Sequence, residues 1–391
     1  MIAIPQPISY ATGLECSVCK KRYSITHLNS FATCCNKPLV VRYEYELSFL
    51  KEDLLLREKN MWRYFEMLPV FERRHIISLG EGMTPVLPLD KMAARYEFTD
   101  LWMKDESLNP TGSFKARGMS MAISKANELG VKRCIIPSAG NAGVAAAAYC
   151  AKAGIECTVV MPRHTAKVFQ QECELYGADV ILVDGLISDC ANKAAEMKQL
   201  DAYYDLSTLK EPYRLEGKKT MGYEIAEQFN WHLPDVILYP TGGGTGLIGM
   251  WKAFHEMLQM HWIEGSLPKM IAVQSMNCDP VVRAFNNGKS WKENFHPQPS
   301  IAAGLTVPYP FGMDMILDVL HSSDGIAITV NEKEIVDGLK EIAKAEGLLI
   351  SAEGASLWKA LLSLRKTGIV NAADKILLLN TGMNKDPENI F

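Results

Sequence analysis

From residue 131 onward, short apolar runs alternate with stretches whose apolar positions recur at helical spacing. Residues 134–137 read Cys-Ile-Ile-Pro, a continuous apolar run of strand length. The pattern then predicts an alanine-rich helix over 142–153, a strand over 156–161 and a helix over 166–176. A strand over 180–183, a helix over 188–199 and a strand over 202–206 follow. A second alternating region predicts a strand at 236–239, a helix at 247–260 and strands at 270–273 and 375–380. Repeated strand–helix–strand units build parallel sheets with helices on both faces, so the fold class is α/β. Ligands in such sheets bind beyond the carboxyl ends of the strands, so the chemistry is sought in the loops there.

Lys115 follows Asn109-Pro110-Thr111-Gly112-Ser113-Phe114 and opens a helical pattern. The helix dipole and partial burial both disfavour an ammonium at that place. An amine freed of its proton attacks carbonyls and forms Schiff bases; the alternative is a solvated lysine in a first helical turn. The loop after the strand at 134–137 is Ser138-Ala139-Gly140-Asn141-Ala142-Gly143. Its glycines allow close backbone approach to a flat ligand, and Asn141 offers a donor and an acceptor. Asn141 is equally a favoured helix N-cap type. The loop after 236–239 contains Gly242-Gly243-Gly244-Thr245-Gly246 and runs into a helix, which makes an anion cradle suited to phosphate. It also contains Gly244-x-Gly246-x-x-Gly249, the form of a dinucleotide fingerprint. The next strand ends in Gln274-Ser275, without the acidic residue that fingerprint needs, which weakens an oxidoreductase reading. Thr381, beyond the strand at 375–380, is either a hydroxyl for a ring nitrogen or a plain turn residue.

Composition narrows the setting. The chain has 391 residues, 48% hydrophobic and 22% charged, as in an ordinary globular protein of two or three domains. A net charge of -4 gives no general attraction to nucleic acid or anionic membrane. The longest apolar run, 144–151, is too short to span a bilayer, and residues 1–5 lack the pattern of a secretory signal. Six of the ten cysteines (Cys134, Cys150, Cys157, Cys173, Cys190 and Cys278) are scattered through periodic segments as small core residues, which fits a reducing cytoplasm. The other four cluster near the N-terminus. Cys16-Ser-Val-Cys19 is one knuckle of a zinc ribbon, but Cys34 and Cys35 are adjacent, and neighbouring side chains rarely both reach one ion. His27 is an alternative fourth ligand; a remnant ribbon without metal is the other reading.

One cofactor fits the loops together. Pyridoxal phosphate needs an amine for its aldehyde, a cradle for its phosphate and partners for its ring oxygen and nitrogen. Lys115, Gly242–Gly246, Asn141 and Thr381 fit those roles in that order. The chain resembles the fold-type-II (tryptophan-synthase-β-like) pyridoxal-phosphate enzymes, and within them most closely the threonine synthases. The resemblance runs from about Leu79 to Asn384. It is carried by Leu79-Gly-Glu-Gly-Met-Thr-Pro85, Lys104-Asp-Glu-Ser-Leu-Asn-Pro-Thr-Gly-Ser-Phe-Lys115, Ser138-Ala-Gly-Asn141, Arg214-Leu-Glu-Gly-Lys-Lys-Thr220 and Thr381-Gly382. It implies two open parallel-sheet domains behind a small Cys-rich, zinc-ribbon-like segment at 1–44. The large cofactor domain would take 45–115 and 209–391, and a small α/β domain 116–208. Lys115 is implied as the catalytic residue. Cofactor contacts are implied at Phe114, Lys115, Asn141, Gly242, Gly243, Gly244, Thr245, Gly246 and Thr381, and substrate contacts at Thr111, Ser138 and Arg214. A structural zinc on Cys16, Cys19, Cys34 and Cys35, a small amino-acid substrate and a homodimer are implied as well.

The chain departs from the threonine synthase pattern in three places. Ala116 stands where aspartate usually follows the lysine, the bend reads Gly-Gly-Gly-Thr-Gly, and Thr208-Leu209 replaces an Asn-Ser pair ahead of Pro212-Tyr213-Arg214. The first two are similar to threonine and serine dehydratases. Arg214 is either a bidentate anion contact or a surface ion pair with Glu211 or Glu216. The expected activity is therefore conversion of O-phospho-L-homoserine and water to L-threonine and phosphate. The alternatives are ammonia-lyase action on a β-substituted amino acid and a non-catalytic scaffold that retains the fold.

Overall fold

The computed structural model of the protein describes residues 9–45 and 49–385. Residues 1–8 of the expected ribbon segment and 386–391 of the expected cofactor domain lie outside them. In chain order the strands are β1 (Ala11–Cys16), β2 (Arg22–Tyr23), β3 (Leu39–Tyr43), β4 (Val86–Pro88), β5 (Asp100–Asp105), β6 (Arg133–Pro137) and β7 (Glu156–Pro162). They continue with β8 (Asp179–Val183), β9 (Tyr204–Asp205), β10 (Val236–Pro240), β11 (Lys269–Ser275), β12 (Ile326–Val330) and β13 (Lys375–Asn380). The chain packs as two units. The first takes the residues up to Met83, Lys115–Thr220 and Gln259–Trp262; the second takes Thr84–Phe114, Met221–Leu258 and everything from Ile263.

The first unit holds two sheets. An antiparallel ribbon has the order β2-β1-β3, and a four-stranded parallel sheet has the order β8-β7-β6-β9. Side chains of a strand alternate between faces, and both faces of β6 and β7 are covered. Ile135 and Val160 pack on Cys190 and Ala194 of the helix Ile187–Leu200. Cys134, Ile136, Val159 and Met161 face the other way, into a core shared with the helices Lys115–Glu128 and Asn141–Ala153. This is why the strands read as unbroken apolar runs rather than alternating ones. Trp62, Phe65, Leu68 and Val70 join the same core, so residues 49–83 pack with this unit. A buried carboxylate helps to hold them there. Glu81 accepts from Trp62 Nε1 at 3.0 Å, Ser120 Oγ at 2.6 Å and Tyr149 Oη at 2.5 Å. Burial, and then the Glu81 charge, hold the Tyr149 phenol well above its usual range.

Two helices of this unit cross at glycines. A Cβ on Gly217, in the helix Tyr213–Gln228, would collide with the Arg117 carbonyl oxygen. A Cβ on Gly118 would lie 3.0 Å from Lys218 Cε and 3.1 Å from the Arg214 carbonyl. Backbone therefore lies against backbone at the crossing.

The second unit is built on one sheet of order β12-β11-β10-β13-β5-β4. The first five strands are parallel; β4 joins β5 antiparallel at the edge, where Pro88 removes no ladder bond from a central strand. Every residue of β10 is buried, and the helix Ala352–Lys366 packs across β13, β10 and β11. Among the described residues no helix is long and apolar enough to cross a membrane.

The glycine crossing gives a test of the packing. Gly217→Ala must force the two backbones apart, so it is expected to cost about 1–3 kcal/mol or more, as overpacking of a tight core does. A thermal melt should show a drop of several degrees; an unchanged midpoint would mean that the helices do not cross this closely.

Candidate active site

In the second unit the central strands β10, β13 and β5 are parallel neighbours. The loops after them, at 241–246, 381–385 and 106–114, therefore leave the sheet side by side at its carboxyl edge. The glycine bend, Thr381 and the approach to Lys115 are thus brought together by strand order alone. Backbone pairing then fastens two of the three. Ser113 and Gly382 form an antiparallel bridge, Phe114 N–H donates to the Thr381 carbonyl at 3.0 Å, and Met383 N–H donates to the Gly112 carbonyl at 2.9 Å. Phe114 is buried, with its ring edge-on to Tyr239 at the end of β10, 6.2 Å between centroids. Lys115 is the next residue in the chain.

The bend is glycine for two physical reasons. Gly244 has φ +72°, and a Cβ there would collide with Ile316. A Cβ on Gly242 would strike the Gly304 carbonyl, and one on Gly246 the Tyr239 hydroxyl. The helix Thr245–Gln259 begins inside the bend, so its first N–H groups have no carbonyl of the same helix to bond.

The segment ahead of Lys115 is shaped by buried charge. Lys104, fully buried on β5, pairs with Glu224 at 3.1 Å and donates to the Thr84 carbonyl and Gln228 Oε1. Glu106 accepts from Thr84 Oγ1 at 2.6 Å and Asn109 Nδ2 at 2.8 Å. Asn109 is thereby held where the chain turns into Pro110–Gly112. In that turn Thr111 takes φ 63°, a left-handed conformation uncommon for a threonine, and its buried Oγ1 has no partner. The sequence reading attached no role to Lys104 or Glu106. The available signal was a lysine directly after the apolar run Leu101-Trp102-Met103 within β5; buried there, it needs a partner.

In the first unit Lys115 is the first residue of the helix Lys115–Glu128 and is partly buried. Asn141 likewise begins its helix, but as its first helical residue; the cap position is Gly140. Capping falls to Ser138, whose Oγ accepts from Gly143 N–H at 2.9 Å. Asn141 is thus relieved of the cap role, and its buried Oδ1 has no partner. Buried polar atoms are nearly always paired, so orphans in two sequence motifs call for a ligand-side explanation. Other orphans, such as Tyr204 Oη and Thr165 Oγ1, lie outside those motifs.

β6 and β9 are neighbours, so Ser138 and the segment 206–214 emerge together. Arg214 is 2% exposed, which removes the surface ion-pair reading. Its Nη1 donates to the Leu206 carbonyl, while Nε has no partner. The buried Glu211 carboxylate caps this helix, accepting from Tyr213 N–H at 2.7 Å and Arg214 N–H at 3.0 Å. Burial nevertheless pushes Glu211 up to about 7, against the pull of Arg214. Glu216 engages Lys219 at 2.8 Å and the Tyr43 hydroxyl at 2.7 Å instead.

The four N-terminal cysteines converge. The sulfurs of Cys16, Cys19, Cys34 and Cys35 all lie within 4.8 Å of one another. The expectation that adjacency would keep Cys34 and Cys35 from a common ion is overturned. They sit in a tight loop closed by the Ala32–Lys37 bridge, with Asn36 at φ 52°, where neighbouring side chains need not point apart. His27 is outside the group and contacts Thr26. Four cysteine sulfurs at this spacing fit one tetrahedral zinc ion, which would staple the ribbon.

Two outcomes test these assignments. Protein prepared without chelator should carry about one zinc per chain. Cys16→Ser should lose most of it, by elemental analysis, and melt at lower temperature; zinc retained by that variant would place the metal elsewhere. Glu211 gives a pH signature. From its ordinary value of 4.5 up to about 7, the folded chain keeps a proton that the unfolded chain has lost, so stability falls as pH rises through that window. Glu211→Gln does not titrate, so its melting temperature should gain on the wild type between those pH values. A pH-independent difference would show that Glu211 ionises normally.

Comparison with known proteins agrees with the geometry. The family described as "Pyridoxal-phosphate dependent enzyme" matches residues 77–382. The threonine synthase of Methanocaldococcus jannaschii is 34% identical over 380 residues, covering 96% of this chain and 93% of that protein. That of Methanosarcina acetivorans is 30% identical over 381 residues, covering 97% and 93%. Among solved structures, a maize serine racemase shares the fold at a TM-score of 0.67, with 23% identity over 78% of this chain and 90% of that one. With a matched segment that begins beside Glu81 and ends at Gly382, the chain belongs to the family of pyridoxal-phosphate-dependent enzymes.

Proposed function

We propose that this protein is a threonine synthase that converts O-phospho-L-homoserine and water to L-threonine and phosphate. The observation that carries the reading is the pairing of 112–114 with 381–383 beside the glycine bend, which sets the approach to Lys115 among the carboxyl ends of β10, β13 and β5. The similarity to threonine synthases over nearly the whole chain selects the substrate. The same reading makes the protein a cytoplasmic homodimer, in keeping with its ten free cysteines.

The residues fit the cofactor on two counts. The bend carries a single side chain, Thr245, and opens a helix, as suits a phosphate ester, and Asn141 holds a buried polar atom without a partner. Pyridoxal phosphate, when bound, supplies an aldehyde and an electron sink for a carbanion at Cα. In this assignment the Lys115 amine would hold the cofactor through its aldehyde and, as a free amine, would take up the Cα proton as general base. Backbone N–H groups of Gly242–Gly246 would hold the phosphate, the Asn141 amide would partner the ring oxygen, and the Thr381 hydroxyl would give the ring nitrogen a neutral partner. Phe114 walls the ring. Thr111, with its unpartnered hydroxyl, Ser138 and Arg214 take the substrate; the unpaired Nε of Arg214 is an edge still able to bond an anion.

A second reading rests on Ala116 and the Gly-Gly-Gly-Thr-Gly bend, which resemble dehydratases: elimination of a β-hydroxyl to give a 2-oxo acid and ammonia. Incubation with O-phosphohomoserine and, separately, with threonine decides between them. Phosphate release with threonine formation from the first is expected; 2-oxobutyrate from the second, without phosphate release from the first, would establish the dehydratase. The purified protein should be yellow and bleached by hydroxylamine. Lys115→Ala should lose the visible band and turnover together, and survival of the band would reassign the lysine.

A further inference from the structure

The glycine bend has a neighbour that none of the roles above uses. Residues 302–307, between β11 and β12, lie against its first glycine. A Cβ on Gly242 would strike the Gly304 carbonyl oxygen and fall 3.0 Å from Val307 Cγ2. The entry to the bend is fixed from β11: Thr241 N–H donates to the Val273 carbonyl at 2.8 Å, and the Thr241 carbonyl accepts from Gln274 Nε2 at 2.9 Å. The segment 302–307 has only the short turn Ala303–Leu305 of its own, and a carboxylate holds it. Gly304 N–H donates to Glu353 Oε1 at 2.8 Å, and a Cβ on Gly304 would lie 2.8 Å from that same oxygen. Glu353 stands in the first turn of the helix Ala352–Lys366. That turn is seated on the end of β13, where Ser351 N–H and Oγ donate to Asn380 Oδ1 at 3.2 and 3.1 Å, one residue before Thr381.

We propose that Glu353 is a positioning residue for the phosphate cradle: through Gly304 it holds 302–307 against Gly242 and so keeps the bend in the shape that takes the cofactor's phosphate. The inference rests on the reading of Gly242–Gly246 as that cradle and adds what maintains it. All of these residues belong to the second unit. Glu332 anchors the segment further upstream, accepting from Ser300 Oγ at 2.7 Å and Ile301 N–H at 2.8 Å, but the contact with the bend is made at Gly304 and Val307. The role needs an acceptor and not a charge. A carboxylate near an anion site repels the anion, so a neutral acceptor in its place serves at least as well. An apolar side chain releases the Gly304 N–H and lets the segment leave the bend.

The test separates the phosphate from the rest of the cofactor. Full-length protein freed of cofactor is titrated with pyridoxal phosphate and, separately, with pyridoxal, which lacks the phosphate, and the visible band is followed. Glu353→Ala should weaken pyridoxal phosphate about fivefold, as loss of one hydrogen bond does, and leave pyridoxal within about twofold of the wild type. Glu353→Gln should bind pyridoxal phosphate as tightly as the wild type or more tightly. The inference is overturned if the Ala variant keeps the wild-type affinity, if the Gln variant loses as much as the Ala variant, or if both compounds weaken alike, since general loosening would then be responsible. In the wild type, hydrogen–deuterium exchange of a peptide spanning 302–307 should slow more with pyridoxal phosphate than with pyridoxal; exchange unchanged by either overturns the inference whether or not the variants fold. Equal wild-type affinities for the two compounds would sink the cradle reading and this inference with it. The products formed from O-phosphohomoserine and from threonine are read separately, so failure here is distinct from failure of the proposed activity.

Discussion

The site depends on a short stretch of antiparallel backbone. Residues 112–114 bond to 381–383, although nearly 270 positions separate them in sequence. Neither segment has a regular structure of its own that would hold it. The pairing ties the approach to Lys115 to the end of β13, beside the bend after β10. Without it Pro110–Gly112 would be a less restrained turn.

Behind this pairing stands a buried polar network that explains the length of the motif from Lys104 to Lys115. Lys104 and Glu224 neutralise each other, Glu106 takes Thr84 and Asn109, and Asp105 accepts from Asn380, whose Oδ1 accepts from Ser351 at the cap of the helix Ala352–Lys366. A half-satisfied network of this kind would be worse than an apolar core. The motif is therefore a set of mutually dependent hydrogen bonds that ends at Lys115. The first unit repeats the strategy with Glu81 at the centre of three side-chain donors. There burial lowers the pKa values of Arg214 and Lys218 and raises that of Glu211.

Polar atoms without partners carry a different message. Serine 138 takes over the cap of the helix Asn141–Ala153, which leaves Asn141 with an unused acceptor; Thr111 sits in a strained turn with an unused hydroxyl. Both belong to segments that would otherwise be ordinary loops. In each unit, incomplete hydrogen bonding stands beside a complete network, which is where buried polar atoms call for an explanation.

The sequence alone determined the α/β class, most of the strands and helices from 131 onward, and the residues around Lys115, because apolar periodicity and loop chemistry are local properties. Strand order, the antiparallel edge of β4, the packing of residues 49–83 with the small sheet and the convergence of Cys34 with Cys35 were decided only in three dimensions. Each depends on contacts between distant segments or on turn geometry that composition does not encode. The same holds for the buried charges. The sequence by itself assigns no role to Lys104 in its strand or Lys218 in its helix, since burial of a charge is set by what the rest of the chain brings to it.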